Sequence, residues 1–367
     1  MKKFLSVMLA LVLVFTCAAC STDKAKDKSS DDILYVGFIY NGNVNDGGYT
    51  QAQHNGTKIM EDYFDGKVKT LIYEAVDDSD KQAIRTAADD LIDQGAKVVV
   101  GAGYGFGDTL YEMAVSRNYD DTIFLNFSGY LMAENMGNYF GATEEPRYLT
   151  GIIAGMQTNT NKLGYVATYP VTEVLIGVNA FALGAKSVNP DVEVQVVYTN
   201  SRYDPAKEQQ AAEALLDQGC DVITQHCDTT GPLIAAESAG ALAIGYNQDN
   251  PAAAPGAWLT APIWHQERFL IPTIEKIISG TWESESYYGT LKDGYMDLAP
   301  LSDLVTPEAK AAVEEARNGI IYGEINIFAG PLIDNAGNKV VSDGAVLDRE
   351  SIWLIYFLLE GVSSTEI

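Results

Sequence analysis

The run LIDQGAKVVVGAG (91–103) returns 124 residues later as LLDQGCDVITQHC (215–227). Each copy reads as the end of a helix, a glycine stop and a β-branched strand. Between Ala87 and Val100, seven of fourteen positions are identical to those 124 residues on, and the match holds without a gap from about Ile72 to Val100 against Val196 to Thr224. Solenoids repeat at about 20 to 50 residues, so a period this long marks a duplicated domain. The length of 367 residues agrees with two domains, each large enough for its own core.

Outward from these runs, strand and helix signals alternate. The segments 34–40, 97–101, 123–127, 164–167 and 221–224 are short, apolar and uninterrupted, as in a sheet covered on both faces. Between them lie amphipathic stretches: Ile84, Ala87, Ala88, Leu91 and Ile92 fall at helical spacing, as do Val174, Val178, Phe181 and Ala185. Strand and helix in alternation predict an α/β protein of two doubly wound parallel-sheet lobes, with ligands at the carboxyl ends of the strands and a cleft between the lobes.

Composition excludes several function classes. Charged residues make up 20% and apolar residues 47%, as in an ordinary globular protein. The formal charge of −26 argues against nucleic acid as a partner, since that needs a basic surface. Three His and four Cys are too few for a multi-His metal site or a zinc ribbon, so a metal is not expected. At the amino end, Lys2 and Lys3 precede the apolar run 4–15 and the small residues Ala18 and Ala19, in the order of an export signal expected at 1–19. Residues 21–32 contain only Ser, Thr, Asp, Lys and Ala and read as a solvated tether. The apolar run 352–359 is too short to span a bilayer and is expected to dock a last helix on the core.

The predicted strand ends collect aromatic and amide residues. YNGNVNDGGYTQAQHNG (40–56) offers Tyr40, Asn45, Asp46 and Tyr49 around a polar turn that opens a helix. GAGYGFGDT (101–109) supplies Tyr104 and Phe106, and Asn126 follows Leu125. In the second half come Tyr169, Tyr203, Asp228 in QHCDTTG (225–231) and Asp249 in YNQD (246–249). Such a mixture suits a planar heterocycle, because rings stack on its face while amides and carboxylates read its edge. Loops are rich in the same residues for turn-forming reasons alone. An enzyme reading fails on geometry: His226, Cys227 and Asp228 are sequential near a strand end, where neighbours point to opposite faces. Cys220 and Cys227, separated by about 23 Å of extended strand, exceed the reach of a disulfide. GAGYGFG (101–107) has Phe106 where a dinucleotide loop needs its third glycine, so that reading is weak.

At these residues the chain resembles the basic membrane protein family of bacterial lipoproteins, the purine and purine-nucleoside-binding components of ABC transporters. The resemblance rests on NDGGYTQAQHNG (45–56), YDPAKEQQAAEALLDQGCDVITQH (203–226) and GYNQD (245–249), and CAAC (17–20) resembles a lipobox whose Cys20 is lipidated. It implies a type I periplasmic-binding fold with two hinged lobes: 33–150 with a return segment at about 262–300, and 151–260 with a carboxyl-terminal segment at about 301–367. It also implies no enzymatic activity and no cofactor, permease and ATPase subunits as partners, and a monomer held by a lipid anchor on the extracytoplasmic face of the cell membrane. Tyr49 is expected to stack on a purine, with Asn126, Tyr169 and Asp249 facing the cleft. Where nucleoside-binding relatives carry a Lys for the ribose, this chain places Trp264, which favours a free base or a nucleoside held differently. A sensory module, or a binding protein for a sugar or amino acid, is the alternative.

Overall fold

The structure, a computed structural model, describes residues 33–366. The expected export segment, Cys20 and the tether lie outside the described residues. The first lobe opens with β1 (Leu34–Ile39), α1 (Tyr49–Tyr63), β2 (Val68–Tyr73), α2 (Lys81–Asp93), β3 (Ala96–Gly101), α3 (Gly107–Ala114), β4 (Ile123–Phe127) and β5 (Met136–Gly141). The chain then runs through α4 (Glu144–Gln157), β6 (Lys162–Ala167), α5 (Thr172–Val188), β7 (Glu193–Tyr198), α6 (Pro205–Asp217), β8 (Val222–His226), α7 (Gly231–Ser238), β9 (Leu242–Ile244) and β10 (Trp258–Thr260). It continues with β11 (Pro262–Trp264), α8 (Glu267–Ser279), β12 (Ser286–Gly289), β13 (Met296–Leu298), α9 (Pro307–Ile321), the short hairpin β14 (Leu332–Ile333) and β15 (Lys339–Val341), α10 (Arg349–Ile352) and β16 (Val362–Glu366).

Two six-stranded sheets result, both parallel throughout. The first has the order β12-β5-β4-β3-β1-β2, the second β10-β9-β8-β6-β7-β16. Without the added edge strands, each shows the 2-1-3-4-5 order of a doubly wound sheet, with its switch point between the first and third strands. Each sheet is packed on both faces. In the first, Val36, Phe38, Val98 and Val100 belong to the core under α1 and α8, while Ile39, Val99 and Phe124 belong to the core under α2 and α3. This two-sided burial is why the strands read as uninterrupted apolar runs.

The duplicated motif has a local cause. Gly95 and Gly219 end α2 and α6 with φ of +101° and +91°, a region that only glycine enters without strain. At the other ends of the same helices, the Asp80 carboxylate accepts from Gln82 N and Ala83 N, and the Asp204 carboxylate accepts from Lys207 N. These caps stand 124 residues apart, so the repeat preserves helix boundaries.

Three segments pass between the lobes: one ahead of α4, one between β10 and β11, and one at the end of β13. Helix α4 lies tightly on α5 because glycines face the contact; a Cβ on Gly151 would stand 2.0 Å from Phe181 O, and one on Gly184 1.9 Å from Tyr148 O. Strands β11 and β13 pair antiparallel, Trp264 with Met296 and Pro262 with Leu298. Met296 is buried in the first lobe's core and Leu298 in the second's, so this ribbon is where the lobes join. The run 352–359 docks differently from the expectation. Helix α10 ends at Ile352, and Ile355, Leu358 and Leu359 enter the core from an extended segment, because β16 must reach the edge of the second sheet beside β7.

Candidate functional site

The carboxyl ends of both sheets face one cavity of about 150 Å³ between the lobes. The first lobe contributes Asn41 after β1, Tyr49 on α1, Gly103 and Tyr104 after β3, and Ser128 after β4. The second contributes Thr168 and Tyr169 after β6, Val171, Glu173 and Val174 at the start of α5, Arg202 after β7, His226 and Asp228 at the end of β8, and Tyr246 after β9.

The lobes are in contact around this cavity. Arg202 of the second lobe pairs with Asp78 of the first at 2.9 Å. Gln248 Nε2 donates to Gly48 O at 3.0 Å, and Asn55 Nδ2 donates to Gln248 Oε1 at 3.3 Å. Gly48 lies flat against the backbone of Asp228; a Cβ there would stand 2.2 Å from Asp228 O. This is a closed arrangement, stitched on two sides of the cavity.

Aromatic faces and acceptors dominate the walls. Tyr49 donates its hydroxyl to Ala102 O at 3.2 Å and meets Phe127 edge-on with ring centroids 5.8 Å apart. Burial, followed by the Glu173 carboxylate, holds the Tyr49 phenol well above its ordinary pKa, so it stays neutral. In the second lobe, the Tyr246 ring is backed by the fully buried Arg147, whose guanidinium carbon lies 4.0 Å from the ring centroid. Arg147 Nη2 donates to Gln225 O at 2.9 Å, which fixes it behind the ring and out of the cavity. His226 packs 4.5 Å from Tyr246, ring to ring, and its Nε2 lies 3.8 Å from Glu173 Oε1. Burial lowers the His226 pKa and outweighs the Glu173 partner, so the imidazole is neutral near pH 7. Burial also pushes the Asp228 carboxyl well above its usual range, reinforced by Asp46 and Glu208, with Arg202 opposing.

Of the residues proposed from sequence, Tyr49, Tyr104, Tyr169 and Asp228 line the cavity. The others do not, for identifiable reasons. Asp46 accepts from Gly48 N, Thr50 N and Gln51 N, so its carboxylate is spent holding the start of α1. Asn126 is fully buried and donates both amide hydrogens, to Gly101 O and Gly103 O; it shapes the loop carrying Tyr104 and presents no edge to the cleft. Tyr40 is buried with its hydroxyl on Thr57 Oγ1 at 2.8 Å, and Phe106 is a core residue beneath α3. Asn45, Tyr203 and Asp249 are exposed outside the cavity. Trp264 lies in the first lobe's core beside the hinge and donates its indole N–H to Asn247 Oδ1 at 2.9 Å. Arg147 was not read from the sequence as a site residue; nothing in the first turn of α4 announces that its side chain ends against Gln225 and Tyr246. Asn41, Ser128 and Glu173 were also missed. Ser128 directly follows β4, Asn41 stands two residues past the end of β1, and Glu173 sits in the first turn of the helix after Tyr169, positions that a strand-end rule can find.

Comparison with known proteins agrees with this architecture. The Bmp family model, described as ABC transporter substrate-binding protein PnrA-like, matches residues 33–329. This chain belongs to the Bmp family. It is 33% identical over 336 residues to a purine-binding protein of Brucella abortus, covering 91% of this chain and 94% of that one. It is also 33% identical over 311 residues to a protein of Haloferax volcanii described as a putative ABC transporter glucose-binding protein, covering 85% and 78%. A solute-binding protein of an ABC transporter system from Conexibacter woesei shares the fold, with a TM-score of 0.68 at 22% identity over 80% of this chain and 97% of that one. The Bmp chain is thus a substrate-binding protein of the ABC-transporter type. Family membership speaks for solute capture and transport, not catalysis.

Proposed function

We propose that this Bmp-family protein captures a purine in the interlobe cleft and delivers it to the permease and ATPase subunits of an ABC transporter. The observation that carries the reading is the gathering of tyrosines from both lobes, Tyr49 and Tyr104 of the first with Tyr169 and Tyr246 of the second, around one cavity that Glu173 and Asp228 also line. Planar rings stack on such faces at about 1–3 kcal/mol per base, and a carboxylate accepts from ring or amino N–H groups. A cavity of about 150 Å³ is of the size that holds a small aromatic ligand, and a free base is the cargo we favour over a nucleoside. An amino acid ligand fits poorly. Its carboxylate would face Glu173 and Asp228, while Arg202 is engaged with Asp78 and Arg147 with Gln225.

The deciding experiment is calorimetric titration of the purified protein with adenine, hypoxanthine, adenosine and D-glucose. Binding of the bases with a Kd in the micromolar range, about −8 kcal/mol, is expected. Heat from glucose alone, which also stacks on aromatic faces, would replace the purine reading with a sugar one. We further propose that the protein is monomeric and held at the extracytoplasmic face through lipidated Cys20. Among the described residues no helix is long and apolar enough to cross a membrane. Mass spectrometry of the mature amino terminus tests the anchor.

A further inference from the structure

Asn247 follows β9 with φ +68°, a left-handed conformation that Asn tolerates, and its side chain is buried. Its Oδ1 accepts the Trp264 indole N–H at 2.9 Å, its Nδ2 donates to Asp228 Oδ1 at 3.3 Å, and its backbone N–H donates to Pro262 O at 3.0 Å. Trp264 itself is locked among Phe127, Phe140 and Tyr295, at ring separations of 5.3, 5.3 and 6.1 Å. An indole can only donate, so it forces the amide oxygen of Asn247 to face it and the amide NH₂ to face Asp228. The Asp228 carboxyl is thereby gripped at one oxygen from the hinge side, while its main-chain carbonyl rests on Gly48 of the first lobe.

Resting on the purine reading above, we propose that Trp264 and Asn247 are positioning residues. Through the chain Trp264–Asn247–Asp228 they fix which oxygen of Asp228 is left to pair with the edge of the bound base. Neither residue touches the cavity; both act through Asp228. The chain starts in the first lobe's core and ends on the second lobe's cavity wall, so edge recognition is tied to the relative placement of the lobes.

The test is calorimetry with adenine and hypoxanthine between pH 5 and 8 on the wild type, Trp264→Phe, Asn247→Gly, Asp228→Asn and the Asn247→Gly/Asp228→Asn double variant. Glycine accepts φ +68°, so Asn247→Gly removes the amide without straining the backbone if the Trp264 variant fails to fold. Losing this hydrogen bond is expected to weaken adenine binding about 3- to 10-fold and to change the adenine-to-hypoxanthine ratio. In the Asp228→Asn background, Asn247→Gly is expected to cost less than about 2-fold, as for residues acting through one group. A donor to a carboxylate favours its charged form, so its loss should move the midpoint of the pH profile upward. The other charged groups facing Asp228 are Asp46 before α1, Glu173 on α5, Glu208 on α6 and Arg202 after β7, and all are unchanged in these variants. Equal losses with and without the Asp228 carboxyl, or an unshifted midpoint while the wild type binds, would overturn the positioning role alone. Absence of binding by the wild type would overturn the purine reading and this inference with it.

Discussion

The two lobes share a scaffold and differ at their openings. Gly37 of β1 and Gly164 of β6 each leave room for a leucine of the covering helix; a Cβ would stand 2.9 Å from Leu91 and 3.1 Å from Leu215. Cap and stop residues recur at the same spacing. At the strand ends the likeness stops. The first lobe offers the cavity two tyrosines, Asn41, Ser128 and backbone, whereas Glu173, Arg202, His226 and Asp228, all the ionisable groups other than tyrosine, come from the second. A duplicated frame has thus been divided into a recognition half and a covering half. Such a division suits closure by population shift. Ligand held on the second lobe favours the closed state only by what the first lobe adds.

The sharpest way to break this comparison is to keep every ligand contact and block the cover. Gly48→Val puts side-chain atoms where Asp228 O already lies 2.2 Å from a bare Cβ position. A binding-competent state that is rarely populated lowers apparent affinity by that fraction, so a loss of at least about 100-fold is expected. Small-angle scattering should no longer show compaction on adding adenine. Retained affinity with full compaction would mean the lobes do not meet at Gly48 in the bound state. Next in size is the first lobe's own contribution. Tyr49→Ala should weaken adenine binding at least about tenfold, from lost stacking, while thermal melting stays cooperative. Tyr104→Ala should cost less than about 3-fold, because that ring is 57% exposed and rests on Tyr130 at 6.1 Å. Equal effects at both positions would remove the distinction between a covering ring and a rim ring.

The frame was legible in the sequence because it is periodic: strand hydrophobicity, helix spacing and the glycine stops all repeat. The site was legible only where a side chain still reaches the cavity after its nearer contacts are made. Tyr49, Tyr104, Tyr169 and Asp228 remain available to the cavity, whereas Asp46 and Asn126, which look equally suitable as letters, satisfy backbone groups within six and twenty-five residues of themselves. Buried backbone donors and acceptors claim polar side chains first, and that claim depends on tertiary placement. Arg147 shows the converse. Its importance comes from Tyr246 and Gln225, which approach it from the other side of a duplication boundary.

The junction between the lobes should respond to pH. Glu144 and Glu145 open α4 at the first crossing, and burial raises both carboxyls to about 7. Glu144 is hydrogen-bonded to Tyr288 of the first lobe's added edge strand, and Glu145 accepts from Leu291 N at 2.6 Å. A carboxyl whose folded pKa lies above its unfolded value favours folding when protonated, so stability is greatest below about 4.5 and falls as pH rises to 7. For the buried Glu144 the span corresponds to on the order of 3 kcal/mol, less what partial hydration recovers. Glu144→Gln should therefore melt a few degrees above the wild type at pH 8 and nearly with it at pH 5. A parallel pair of melting-against-pH curves would show that the crossing does not titrate.

The smallest effect should come from the ion pair that joins the lobes at the cavity mouth. Arg202 is half exposed beside the more buried Asp78, and they meet at 2.9 Å. Exposed pairs contribute about 0–1 kcal/mol and are screened by salt. Asp78→Asn should weaken adenine binding about 2- to 3-fold at low ionic strength, with the difference vanishing near 0.5 M salt. The position of the pair gives it more interest than its size. Arg202 is one of the second lobe's contacts in closure, beside Gln248, and Asp78 is a first-lobe charge that does not line the cavity. A much larger, salt-insensitive loss would mean that Arg202 leaves Asp78 to bind the ligand itself, and the division into recognising and covering halves would then run through the mouth of the cleft as well as its floor.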